Sequence, residues 1–294
     1  VSPTRYRLLL FAAAFLFSTG GAAIKACSLS SWQIACFRSG IAALSVALLL
    51  PEARRILRSG VLLVGSAYAA TVVLFVVATK LTTAAQAIFL QSTAPLYLLL
   101  LAPLVLHERL RRSQFITVVF VAAGAVLLLF GGQPAAVTAP DPLRGNWLGA
   151  FCGFTWALTM TGFRWLGKQR GASASPAAVV VAGNLIGFAV SLPMALPVWH
   201  AAPADIGVLL YLGIFQIGVP YMAVTRSIQH VPAVEATTLL LLEPVFNPLW
   251  TWLLYGERLT VATLAGGACI VCATLGSTLY QARQTTVVRE NSGV

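Results

Sequence analysis

The sequence predicts an all-α membrane protein: ten transmembrane helices in two inverted five-helix repeats around a central cavity. Three observations carry this expectation. There are too few charges to cover a water-exposed surface, there are ten apolar runs of spanning length, and one stretch recurs in the opposite membrane orientation.

Of 294 residues, 59% are hydrophobic and 9% charged, where a soluble domain carries about 25% charged residues. The mean hydropathy of +0.86 agrees. A formal net charge of +11 suits nucleic acid only when Lys and Arg are massed on a solvated face. Here they lie between apolar runs, so the expected partners are the lipid bilayer and a small-molecule substrate, with no nucleic acid. Cys27, Cys36, Cys152, Cys269 and Cys272 fall in or beside those runs and read as buried small hydrophobes, so neither metal nor cofactor is expected.

The runs cover 8–26, 32–51, 60–79, 83–106, 114–131, 147–166, 177–199, 206–225, 234–255 and 261–280, each long enough to span as a helix. Barrel strands would be about 10 residues of alternating polarity. The first run follows Arg5 and Arg7 as a signal peptide would, but a cleaved signal exports a soluble protein, so this run reads as the first membrane helix. The second holds Arg38 about 9 Å inside Trp32 at 1.5 Å per residue. The third carries Tyr68, away from the interfaces.

In the fourth run Gln86, Leu90, Thr93 and Tyr97 recur on one helical stripe, and Pro95 and Pro103 can kink it. The fifth and tenth, rich in Gly, Ala and Val, read as packing or lipid-facing elements. Between the fifth and sixth lies a Pro- and Gly-rich connection, which divides the chain into a first repeat (1–131), a linker (132–146), a second repeat (147–281) and a tail (282–294). Trp156 stands at mid-span in the sixth run, and the eighth holds Gln216 and Tyr221.

The ninth run carries Glu243 near its middle, followed by Pro244, Asn247 and Pro248. Its own stripe is Glu235, Leu239, Leu242 and Phe246. A cavity between the two stripes would offer hydrogen bonds on one wall and apolar surface on the other.

With the N-terminus in the cytoplasm, only Lys25, Lys80, Arg144 and Arg258 of the 19 basic residues fall on the outer side, and Arg38 lies inside a span. The positive-inside rule then puts both termini in the cytoplasm of a multi-pass protein of the cytoplasmic (inner) membrane. Nothing in the sequence demands a second copy, and a monomer is admitted.

A shift of 149 residues lays Ala87, Leu90, Pro95, Leu104 and Glu108-Arg109-Leu110 on Ala236, Leu239, Pro244, Leu253 and Glu257-Arg258-Leu259. A shift of 139 lays Phe17 and Lys25 on Trp156 and Arg164. Because five is odd, equivalent helices cross in opposite directions. Such a duplication supports alternating access, in which two bundles rock about a site near the midplane.

These residues resemble the drug/metabolite transporter superfamily, in its ten-helix branch with two EamA-type repeats. The resemblance covers nearly all of 8–281 and rests on Cys36-Phe37-Arg38, Leu242-Glu243-Pro244-Val245-Phe246, Tyr255-Gly256-Glu257-Arg258-Leu259, Gly266-Gly267 and the two Glu-Arg-Leu triplets. Ser18-Thr19-Gly20 follows Phe17 where Trp is common, and His107 stands where Gly is usual. The resemblance implies that helices 1, 3, 4, 6, 8 and 9 surround the cavity, and by overall similarity the chain looks most like the aromatic amino-acid exporters.

The expected substrate-binding residues are therefore Tyr68, Gln86, Thr93, Tyr97, Trp156, Gln216, Tyr221, Glu243 and Asn247, with Pro95, Pro103, Pro244 and Pro248 as hinges. Arg38 either attracts a substrate carboxylate or clamps neighbouring helices through carbonyls or an acid. Glu243 binds a substrate ammonium, exchanges a proton, or with Asn247 satisfies backbone groups freed by the prolines. No Walker A sequence is present, and His107, His200 and His230 lie near different helix ends, which argues against ATP hydrolysis and against a membrane-embedded enzyme. The expected function is secondary export of a small organic solute, most simply an aromatic or related amino acid. A multidrug, nucleoside or sugar-derivative carrier is the alternative within the same fold.

Overall fold

The computed structural model describes residues 3–107, 112–132, 134–168, 175–198, 201–228 and 230–291. The first Glu-Arg-Leu triplet, Arg170, Trp199 and His200 lie outside the described residues. All ten apolar runs are helical. Helix α1 runs Pro3–Ser18 and, after a break, Gly20–Ala26; α2 is Ser31–Leu49 and α3 is Ser59–Leu81. Helix α4 comprises Ala84–Gln91 and Ala94–Leu106, α5 is Arg112–Phe130, α6 is Pro142–Lys168 and α7 is Pro176–Ala195. Helix α8 comprises Pro203–Leu210, Tyr211–Gly218 and Val219–Ser227, α9 comprises Ala233–Leu240 and Leu242–Tyr255, and α10 is Val261–Asn291.

By length and composition, seven of these helices are apolar enough to cross a membrane, and Gln114–Phe130 is a shorter apolar helix. Helix α10 passes the expected end at residue 280 because Gln281-Ala282-Arg283-Gln284 supplies good helix formers with no breaker.

Polarity is distributed inside out relative to a soluble protein. Arg38, Gln86, Asn146, Asn184, Gln216, Asn247 and Glu257 are buried, while Phe115, Phe120, Leu100, Leu104, Trp252 and Leu253 are exposed. Such a continuous apolar exterior needs lipid against it. Cys27, Cys36 and Cys152 are buried as expected, but Cys272, one turn from Cys269 on α10, is exposed.

The two halves pack by one plan. Exchanging α1–α5 with α6–α10 maps the main contacts between the halves onto one another: α2 packs on α7, and α5 on α10. The α3–α6 contact answers to α8–α1, α3–α7 to α8–α2, and α4–α6 to α9–α1. At the α5–α10 contact, a Cβ on Gly124 would lie 2.6 Å from the Gly266 carbonyl oxygen, so the backbones touch where a side chain cannot fit.

Ring contacts repeat the plan in detail. Tyr97 meets Phe154 edge-on with centroids 5.5 Å apart, and Phe246 meets Phe15 edge-on at 6.4 Å. These four residues are equivalent under the shifts of 149 and 139 that align the two halves in sequence.

The breaks in α4 and α9 are equivalent too. Pro95 and Pro244 lack the amide that would donate to the carbonyl four residues back, and each ring presses on that carbonyl. Those carbonyls belong to Gln91 and Leu240, the last residues of the two first segments. Pro103 and Pro248, also expected as hinges, lie inside unbroken helical segments.

Among the contacts that have no counterpart, one lies between α4 and α9. The first segment of α4 packs on the second segment of α9, but no comparable packing joins Ala94–Leu106 to Ala233–Leu240. Helices α4 and α9 therefore pack against each other at one end only.

Candidate functional site

The closed end is tied by polar groups. Lys25, near the end of α1, lies 3.3 Å from Glu257 Oε1, with side chains only 4% and 0% exposed. Lys25 also donates to the Thr82 carbonyl at 2.7 Å and to the Thr138 carbonyl, and the Ala84 amide donates to Glu257 Oε2 at 3.1 Å. Lys80 donates to the Cys27 carbonyl at 2.7 Å, and Ser28 donates through its amide and hydroxyl to Asp205 at 2.7 and 2.6 Å. At the opposite end Arg7 pairs with Glu235 at 2.6 Å, so Glu235 is held by a partner rather than simply solvated.

Toward the centre, α1 breaks because Ser18 and Thr19 turn their hydroxyls back onto the Phe15 and Leu16 carbonyls, both at 2.7 Å, in competition with the helix ladder. Thr19 also shares a 2.8 Å hydrogen bond with the Tyr211 hydroxyl, and Trp250 Nε1 donates to Ser18 at 2.9 Å. Past the break, glycines allow close approach: a Cβ on Gly20 would meet Gln216 at 2.8 Å, and one on Gly21 would meet Asn247 at 2.6 Å.

Gln216 lies in the π-helical stretch Tyr211–Gly218, a wider turn frequent at functional sites. Its amide nitrogen donates to the Phe17 carbonyl at 3.3 Å, while its oxygen has no partner. Neither amide atom of Asn247 has one either.

The central cluster gathers side chains from α1, α2, α3, α6, α7, α8 and α9. Arg38 is 3% exposed, and its Nε and Nη1 find no acceptor. Its electrostatic neighbours are Tyr68, Tyr221 and Cys152. Tyr68 and Tyr221 meet edge-on at 6.2 Å, and Phe17 meets Tyr221 edge-on at 5.4 Å. Asn184 adjoins Tyr68, and Glu243 acts on both tyrosines. Beneath them Thr71 donates to Thr155 at 3.0 Å, Cys152 donates to the Thr71 carbonyl at 3.3 Å, and the half-buried Trp156 packs against the same hydrophobic cluster as Tyr68 and Tyr221.

Of the residues expected from sequence, Arg38, Tyr68, Trp156, Tyr221 and Glu243 come together here, with Gln216 and Asn247 flanking the α1 break. Gln86, Thr93 and Tyr97 do not. The two stripes expected to face each other instead face equivalent partners, α4 on α6 and α9 on α1. Tyr97 donates to the Ala150 carbonyl at 3.1 Å, and Thr93 sits where a Cβ on Gly153 would be 2.7 Å away. Gln86 is bonded to Thr82 at 2.6 Å and to the Leu128 carbonyl at 3.4 Å, near the closed end. Tyr97 thus bonds across to α6 and Gln86 to α5, while Thr93 donates to the Leu90 carbonyl of its own helix at 2.6 Å.

Asn184, Thr71, Thr155 and the Lys25–Glu257 pair escaped the sequence reading. The equivalence of Lys25 with Arg164, beside two Glu-Arg-Leu triplets, was the signal for the pair. For Asn184 the only signal was an amide within an apolar run. Among the described residues, no group of three or more His, Cys, Asp or Glu is placed to hold a metal ion. The arrangement suits binding of a small solute by charge, hydrogen bonds and ring faces.

The sequence matches the EamA-like transporter family over residues 4–130 and 143–279. It is 27% identical over 277 residues to the pseudopaline exporter CntI of Pseudomonas aeruginosa, covering 90% of this chain and 93% of that protein. It is also 27% identical over 206 residues to the threonine/homoserine exporter RhtA of Escherichia coli, covering 68% of this chain and 64% of that protein. A solved structure superposes with a TM-score of 0.62 at 20% identity, over 96% of this chain and 99% of the other, and shows the same fold.

Proposed function

The chain belongs to the EamA-like transporter family, and on that premise we propose that it exports a small organic solute by alternating access, with aromatic or related amino acids as the first class to assay. Membership makes it a multi-pass membrane transporter and points away from an enzyme. One observation carries the finer reading: two equivalent halves closed on each other at the Lys25 end enclose a cluster with an unpaired cation, Arg38, and an acid, Glu243. An α-amino acid bears both complementary charges.

The names of two relatives, a threonine/homoserine exporter and a pseudopaline exporter, support small-solute export. The rings of Phe17, Tyr68, Trp156 and Tyr221 favour an aromatic side chain, because ring faces attract other rings. In this reading Tyr68, Trp156, Gln216, Tyr221, Glu243 and Asn247 touch the solute, while Gln86 ties α4 to α5, and Thr93 and Tyr97 pack on α6. The excess of basic residues on one side favours both termini in the cytoplasm of the inner membrane, and the equivalent halves fit repeats 1–131 and 147–281 in a working monomer.

Glu243 beside aromatic rings also suits an amphiphilic cation, a second reading that the same assay separates. The test is uptake by purified protein in liposomes of labelled phenylalanine, threonine and an amphiphilic amine, with and without a pH gradient. Amino-acid movement above empty liposomes supports the proposal, movement of the amine alone favours the second reading, and movement of neither overturns both.

A further inference from the structure

We propose that Arg38 is the docking point for a carboxylate of the solute, so that the site accepts anionic or zwitterionic molecules and rejects simple amines. This rests on the exporter reading above. Arg38 is the eighth residue of α2 and almost fully buried, and Nε and Nη1 of its guanidinium lack any acceptor. Among the described residues the acids in ion pairs are Glu235 and Glu257, held by Arg7 and Lys25, and none pairs with Arg38.

A cation that clamps helices looks different in this same chain. Lys25 reaches two carbonyls and an acid, and Lys80 reaches the Cys27 carbonyl. A guanidinium is an always-charged group with five donors, and leaving two of its nitrogens buried and unsatisfied is costly unless an anion visits.

The surroundings fit that visitor. The electrostatic neighbours Tyr68 and Tyr221 add hydroxyls and ring faces, and they are also the groups on which Glu243 acts. Glu243 is joined to no cation among the described residues and is left for an ammonium. One buried cation and one buried acid, not spent on each other, favour a solute of zero net charge bearing both signs. A molecule lacking the carboxylate would leave Arg38 uncompensated.

The test uses the full chain in liposomes with labelled L-phenylalanine and L-threonine, and as competitors phenethylamine and phenylalaninamide, which lack the carboxylate. We expect these amines to compete about tenfold more weakly than phenylalanine, or worse, because a site built around a polar contact discriminates strongly against its loss. We also expect Arg38→Gln to cut amino-acid uptake by about tenfold or more while Arg38→Lys keeps part of it. Equal competition by the amines, or wild-type uptake by Arg38→Gln, would overturn the assignment and leave export intact. Transport of amines without amino acids would do the same, whereas transport of neither class removes the exporter reading itself. Should Arg38→Gln fail to fold, the competition on the unmodified protein decides alone.

Discussion

Lys25 and Glu257, from opposite halves of the chain and 232 residues apart in sequence, meet at 3.3 Å in a site closed to solvent. Removing one partner of a buried pair strands the other charge, at a cost of about 3–5 kcal/mol, whereas replacing both with apolar groups is far less harmful. Glu257→Gln and Lys25→Met should each lower the melting temperature in detergent, and Lys25→Met/Glu257→Leu should recover part of the loss. Additive losses in the double variant would contradict this.

Cys27 follows Lys25 by two residues and accepts from Lys80 through its carbonyl, and its thiol is buried and pushed up to about 11 by burial. A rise from 9.0 to about 11 leaves roughly a hundredfold less thiolate at pH 8. Maleimide labelling of the Cys27 peptide, followed by mass spectrometry, should therefore be slow in the native protein and severalfold faster in Glu257→Gln. Equal rates would mean that the pair does not keep this end shut.

Glu243 lies among the tyrosines of the central cluster. If it exchanges a proton during transport, Glu243→Gln should abolish accumulation driven by a pH gradient while solute exchange without a gradient persists. Gradient-driven accumulation at the native level in this variant would restrict Glu243 to binding or packing.

Pro244 ends the first segment of α9 by denying a donor to the Leu240 carbonyl. Pro244→Ala restores that hydrogen bond and should straighten α9, raising thermal stability but slowing turnover on the order of tenfold, equivalent to about 1.4 kcal/mol in the barrier. Equal slowing by Pro248→Ala, in a continuous segment, would argue against a hinge at residue 241.

His107 caps α4 with φ 54 and ψ 35, and its equivalent Gly256 caps α9 with φ 62. A side chain in this left-handed region costs about 1 kcal/mol relative to glycine. His107→Gly should raise the unfolding free energy by that amount, measured by denaturant melting, with uptake unchanged. A loss of uptake would give the imidazole a role beyond the cap.

The helices were legible in the sequence because an apolar run of spanning length has few alternatives in lipid, and the breaks in α4 and α9 because proline acts on a carbonyl at fixed spacing. Even the weaker shift of 139 proved informative, through the Phe15 and Phe154 ring contacts. What escaped was the partner of each face. Periodicity put Gln86, Thr93 and Tyr97 on one side of α4 but could not tell that α5 and α6, rather than a cavity, would meet them. Asn184 and the Lys25–Glu257 pair were hidden for the same reason, since each owes its meaning to residues 50 or more positions away.

The lopsided meeting of α4 with α9 has an energetic corollary. In the proposed alternating access each half takes the shape its counterpart now holds, which would part Ala84–Gln91 from Leu242–Tyr255 and bring Ala94–Leu106 against Ala233–Leu240. Under the proposed alternating access one chain would encode two conformers from matched sets of contacts, and a bound guest would tip the balance between them.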